Sequence, residues 1–159
     1  MKLFQIEEPE GAPRAAEGPG VAVGIDIDET QGAAVAVAVG GNAELLPGLD
    51  GERHLPAPGL RRDGGTFDAE ALCALLLQLR GRAEKQLARP VTHAVIAVAR
   101  LDDASRRTLE AAAAAAGLAV LHLFARDAAA LRATGAPAAD AAVLGAALEA
   151  EDRVPPASP

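Results

Sequence analysis

The chain has 159 residues, a mass of 16.0 kDa and a formal net charge of −7. That length suits one domain with a core of its own, and an acidic chain without a basic cluster excludes general affinity for nucleic acid, which needs Lys and Arg against phosphates. Half of the residues are apolar, but much of that half is alanine and the aromatics are only Phe4, Phe67 and Phe124, so each helix buries little area.

In chain order, "MKLFQI" is followed by "EEPEGAPRAAEGPG", a Pro-, Gly- and Glu-rich stretch that predicts an extended or disordered leader over residues 1–20. Val21, Val23, Ile25 and Ile27 then alternate with other residues, the pattern of a strand with one face in a core; Asp26 falls on the opposite face. Val35, Val37 and Val39 alternate in the same way. Gly40, Gly41 and Asn42 are turn residues, and the following "AELL" completes a three-stranded antiparallel meander. Residues 46–66 are rich in Gly, Pro and Arg and read as a loop.

Asp68 is a candidate N-cap. Beyond it Leu72, Leu75, Leu76, Leu79, Ala83 and Leu87 keep one helix face apolar. Gly81 interrupts that helix at a cost of about 1 kcal/mol relative to alanine, and Pro90 ends it. "HAVIAV", from His93, is a buried strand. Asp102 or Asp103 caps a second helix, Gly117 suits the position just past its end, and "LAVLHLF" is a fifth strand. Two more helices, over residues 127–133 and 138–150, are separated by Gly135 and Pro137, and a tail follows from residue 151. The order β-β-β-α-β-α-β-α-α predicts an α/β fold, a mixed five-stranded sheet flanked by helices, of the ribonuclease-H-like kind and occupying residues 21–150.

Few residues offer chemistry. Cys73 lies in the apolar pattern of the first helix and reads as a small core residue. His54, His93 and His122 have no metal-ligand spacing. The basic residues Arg61, Arg62, Arg80, Arg82, Arg106 and Arg107 are scattered and read as solvated faces. No apolar run approaches membrane-spanning length and no signal-peptide segment is present, so a soluble, cytoplasmic protein is expected.

Several segments together resemble the ATPase domain of DnaK-type heat-shock chaperones, and among them the HscA group of iron–sulfur cluster assembly. "LFQIEEP" is similar to that group's leader, and "GIDIDETQG", from Gly24, to its phosphate loop "GIDLGTTNS". "DGERHLP" and "FDAEALCALLLQL" match the segments that follow. "VTHAVIAVARLDDASRRTLEAAAAAAGLAVLHLFARDAAALRATG" follows the family's strand–helix–strand–helix, and "AADAAVLGAALEAEDRV" resembles the helix that closes the family's actin-like ATPase domain.

The resemblance also implies what is missing. The family's subdomain with a catalytic lysine is reduced to residues 56–66, its second lobe to Gly135-Ala136-Pro137, and its peptide-binding domain has no counterpart. The phosphate loop is degenerate: Asp26 is retained, but Asp28 stands where the family has glycine and Glu29 where it has the first threonine. Only Thr30 keeps a hydroxyl. A carboxylate about 4 Å from a phosphate charge costs on the order of 4 kcal/mol at an effective dielectric of 20. The family's "NEP" carboxylate falls on Arg126 and its proline on Asp127. "DGGTFD", from Asp63, copies the letters of the family's second phosphate loop but precedes a helix instead of joining two strands.

These residues imply a non-catalytic ATPase half-domain that acts through protein interaction, with a protein partner or a second copy, by way of the surface that faces the family's second lobe. No metal and no cofactor are expected, ATP and magnesium entering only if the degenerate loop still binds them. Two alternatives stand beside this reading. One is half of a split chaperone ATPase completed by a partner chain. The other is a metal-dependent nuclease, with Asp26 or Asp28, Asp102 or Asp103, and Asp140 around metal ions, although Asp140 also reads as an exposed first-turn residue.

Overall fold

The computed structural model describes residues 20–62 and 65–154. Strands β1 (Val21–Asp28), β2 (Gly32–Val39) and β3 (Asn42–Leu45) come first. Helix α1 (Ala69–Leu87), β4 (Val91–Val98), α2 (Asp103–Ala115) and β5 (Ala119–Ala125) follow, and α3 (Arg126–Arg132) and α4 (Ala138–Arg153) close the chain. The five strands form one sheet in the order β3-β2-β1-β4-β5. β1 pairs antiparallel with β2, as β2 does with β3. It pairs parallel with β4, as β4 does with β5. This mixed sheet with helices on both faces is the expected ribonuclease-H-like arrangement.

The alternation in the sequence sorts residues between the two faces. Val23, Ile25, Ile27, Val35, Ile96 and Val98 pack with Leu72, Leu76, Leu79 and Leu109 of α1 and α2 in the principal core. The other face is made of small residues. Ala34, Ala36 and Ala38 meet Val143 and Ala147 of α4, and Ala22, Val95 and Ala97 meet Ala142, Ala146 and Ala150. Alanine buries less area than leucine, but it lets backbones approach. A Cβ on Gly24 of β1 would lie 2.1 Å from the backbone nitrogen of Ala147, and one on Gly145 would lie 1.7 Å from the carbonyl oxygen of Ala129.

The helix ends follow their capping residues. The Asp68 carboxylate accepts from the N–H groups of Glu70 and Ala71, which holds it below the usual carboxylate range. Asp102 accepts from Ser105 N–H at 2.8 Å, with the same effect. Gly117, at φ 81°, lets the chain turn after α2 while Arg80 Nη1 donates to the Ala116 carbonyl at 2.8 Å. On β5 the register slips opposite Ala94 and Val95. The extra residue, Leu121, is a bulge that brings both Val120 and Leu123 to the principal core.

Two expectations about the chain's course are corrected. α4 runs to Arg153, past the expected boundary at residue 150, because its last turn is held by Arg153 Nε to Glu149 and by Glu151. The Glu151 carboxylate accepts from Gly40 N–H at 2.5 Å and Gly41 N–H at 2.9 Å, pinning the β2–β3 turn to the helix. Glu151→Ala is expected to cost about 1 kcal/mol in urea denaturation and to speed amide exchange at Gly40 and Gly41. Nor are the arginines solvated faces throughout: Arg61 lies over the Phe67 ring at 4.1 Å and is only 12% exposed. Cys73 is half-buried against the principal core, much as its helical position implied. The leader lies outside the described residues, as do Asp63 and Gly64 of "DGGTFD"; within that stretch Phe67 is buried and Asp68 is the cap of α1.

Candidate functional site

The carboxyl ends of the parallel strands carry the candidate residues, the place where open α/β sheets bind ligands. β1 turns into β2 through Glu29, Thr30 and Gln31. Along β1, Gly24, Asp26 and Asp28 share the face that α3 and α4 cover. All four residues of the degenerate phosphate loop, Asp26, Asp28, Glu29 and Thr30, therefore lie together at this end of β1.

Each acid there already has a partner. Asp26 is 1% exposed. Arg126, the first residue of α3, donates to it twice, Nε to Oδ1 at 2.6 Å and Nη2 to Oδ2 at 2.9 Å. This is the bidentate fork that suits a carboxylate best. Asp28 lies 3.5 Å from the same guanidinium, and its Oδ1 accepts from Thr30 N–H at 2.9 Å. Glu29 accepts from Arg61 Nε at 2.7 Å. Burial lifts the Asp26 carboxyl above its ordinary range, an effect the Arg126 hydrogen bonds and charge only partly reverse. The same hydrogen bonds raise the Arg126 pKa.

A second pair lies at the start of α4. Asp140, expected to be exposed, is instead 5% exposed, because the strand-like stretch after β3 crosses over it: Leu55 bridges to Ala33, and Arg53 Nη2 pairs with Asp140 Oδ2. Asp140 Oδ1 and His54 Nε2 are buried without a hydrogen-bond partner. His93 bonds with Thr92 at 2.7 Å, and His122 packs against Phe124 with ring centroids 5.0 Å apart. Burial lowers the His122 pKa, and Arg153 adds to the effect.

These pairings decide what the site can do. The sequence implied that unopposed carboxylates would repel a phosphate. Instead, Asp26, Asp28 and Glu29 are opposed by Arg126 and Arg61. The residues do not fit a magnesium–nucleotide group, since the buried carboxylate that would face the metal is bound by a guanidinium. Of the nuclease candidates, Asp26, Asp28 and Asp140 are in ion pairs and Asp102 is a cap. Among the described residues no group of three His, Cys, Asp or Glu side chains is placed to hold a metal ion.

Sequence reasoning missed Arg126, Arg53 and Arg61 as partners. For Arg126 a signal was present, an arginine at the position of a family carboxylate while Asp26 was retained. The family model described as Hsp70 protein matches residues 59–143, just over half of the chain. A comparison with curated proteins finds no match. The matched stretch holds α1 to α3, β4, β5 and the start of α4, so it includes Arg126 and Asp140 but not the turn that carries Asp26.

Proposed function

The chain belongs to the Hsp70 family, and we propose that it is a non-catalytic member, an ATPase half-domain that works by binding protein. Its mixed five-stranded sheet flanked by four helices is the actin-like ATPase fold of that family. One observation carries the reading: the bidentate pair of Asp26 and Arg126. Phosphoryl transfer is almost entirely a matter of positioning the phosphates and neutralising their charge. A guanidinium locked onto the one retained loop aspartate prevents both. To admit a metal-bound phosphate, Arg126 would have to give up both of its hydrogen bonds to a buried carboxylate.

The junction of α3 and α4 supports the same reading. Residues 133–137 carry the chain directly from one helix to the other, and Gly145 seats α4 on the carbonyl of Ala129. No second lobe stands between these two helices. The similarity of "LFQIEEP" to the leader of the HscA group supports a place near iron–sulfur cluster assembly, and the cytoplasm is the location proposed with it. Exposed Val39, Leu49, Leu77 and Leu131 support contact with a protein. No helix among the described residues is long and apolar enough to cross a membrane.

The test is a titration of the full chain with fluorescent ADP in the presence of magnesium, followed by anisotropy. No saturable binding is expected at nucleotide concentrations approaching about 1 mM, equivalent to about −4 kcal/mol. Binding with a micromolar Kd would overturn the proposal.

A further inference from the structure

The two edges of the sheet differ. β3, at one edge, is four residues long and carries an exposed Glu44; a short, charged strand is a common way to protect an edge. β5, at the other edge, has seven residues, "AVLHLFA", with no Asp, Glu, Lys, Arg or Pro among them. One side of β5 is bonded to β4. Among the described residues no backbone hydrogen bond reaches its other side. Apolar side chains line both faces at this edge: Val120 and Leu123 join the principal core, and half-buried Leu121 and Phe124 pack on the α4 side. Free N–H and C=O groups along such a strand are a template for one more strand.

The chain carries a segment suited to that place. Of residues 1–19, the large apolar ones, Met1, Leu3, Phe4 and Ile6, all stand in the first six, and beyond them come only Glu, Pro, Gly, Ala and Arg. In an extended segment Leu3 takes one face, and Phe4 and Ile6 the other. That suits an edge with apolar neighbours on both faces. The topology sets the path. β1 and β5 both run parallel to β4, so β5 begins at the end of the sheet where the chain enters β1. From β1 to a strand beyond β5 is three spacings, about 14 Å at 4.8 Å each. Residues 7–20 reach about 46 Å when extended, which is ample. A segment that must return to the start of β1 would place Ile6 at the Ala119 end and run antiparallel to β5, the pairing that is slightly the more stable per residue. Glu7, Glu8 and Glu10 would then cross the strand starts, where Arg80 lies against Gly117 and Arg89 precedes β4 by two residues. The acid at that end, Glu84, is bonded to Arg80 and to the Val91 N–H.

We propose that Leu3–Ile6 adds to the outer edge of β5 as a sixth, antiparallel strand and closes that edge against pairing with another chain. The tether selects this occupant. A segment joined to β1 by residues 7–20 is present at an effective concentration on the order of 1 mM, far above that of a free strand of the same kind. The pairing is independent of Asp26 and Arg126, which lie toward the opposite end of β1.

The test uses the full chain with Cys73→Ser and a nitroxide on Gln5→Cys. NMR signals of β5 are expected to broaden, while those of β3, four strands away, stay sharp. In a mixture of nitroxide-labelled chain with unlabelled chain enriched in nitrogen-15, no broadening is expected, because the strand belongs to the same molecule. In the otherwise unmodified full chain, Phe4→Asp with Ile6→Asp should speed amide exchange at the outward-facing N–H groups of β5 at least about tenfold, with an unchanged circular dichroism spectrum. Sharp β5 signals in the labelled chain, or β5 exchange indifferent to the two aspartates, would overturn the proposal. Broadening of β5 in the mixture would also overturn it, by placing the segment of a second copy on the edge.

Discussion

Arg126→Met is expected to destabilise the fold by about 3–5 kcal/mol at neutral pH, the range seen when one partner of a buried ion pair is removed. The reason is the Asp26 carboxylate left behind. It is 1% exposed, and Arg126 supplies both of its charge-assisted hydrogen bonds. Burial already holds its pKa above the ordinary carboxylate value, and removing the guanidinium lifts it further. A carboxyl whose folded pKa exceeds its unfolded one binds more protons in the folded state between those two values. Stability therefore falls as pH rises through that window. The variant should recover part of its loss as pH drops through the raised Asp26 pKa toward the unfolded value.

Asp26→Asn combined with Arg126→Met removes both charges, and should lose much less than the single Arg126 variant. Urea denaturation at pH 7 and pH 5 measures all three proteins. Equal stability of Arg126→Met and the parent at pH 7 would show that the pair does not form. The outcome also bears on the proposed function, which rests on this pair.

Gly24→Ala is the second large effect. The new Cβ would stand 2.1 Å from the backbone nitrogen of Ala147 and 2.5 Å from the carbonyl carbon of Ala146. Neither atom belongs to a flexible side chain, so α4 must lift bodily from β1. Overpacking commonly costs about 1–3 kcal/mol; with rigid backbone on both sides the upper end is expected. The lift should also loosen Asp140 at the start of α4 and the contact of Gly145 with Ala129. Thermal unfolding measures the loss, and amide exchange along α4 locates it. A Tm equal to the parent's would mean that α4 does not sit on Gly24.

Much of this fold was legible because its signals are local. Alternating valines and isoleucines announced β1 and β2, Asp68 and the pair Asp102-Asp103 announced the starts of α1 and α2, and Gly117 announced the end of α2. Each is decided by a few neighbouring residues. The position of the candidate site was legible too, through the resemblance around Asp26. What was not legible is who neutralises whom. Asp26 and Arg126 are 100 residues apart in the chain, Arg53 and Asp140 are 87 apart, and Glu151 reaches back 111 residues to Gly40. Such partners are set by where α3 and α4 land on the sheet. Asp140 shows the consequence: by helix position alone an acid in a first turn is solvated, whereas in the fold it is buried and paired with Arg53.

The helix that, with α3, covers one face of the sheet comes after every strand in the chain. Until α4 leaves the ribosome, Ala34, Ala36, Ala38 and Gly24 have nothing over them, so the nascent chain waits with half its sandwich open. A face of valines or leucines in that interval would invite strands from other chains. One lined with methyl groups and a bare glycine is a poor adhesive, so the same small residues that let α4 settle so deeply also keep the unfinished molecule from sticking.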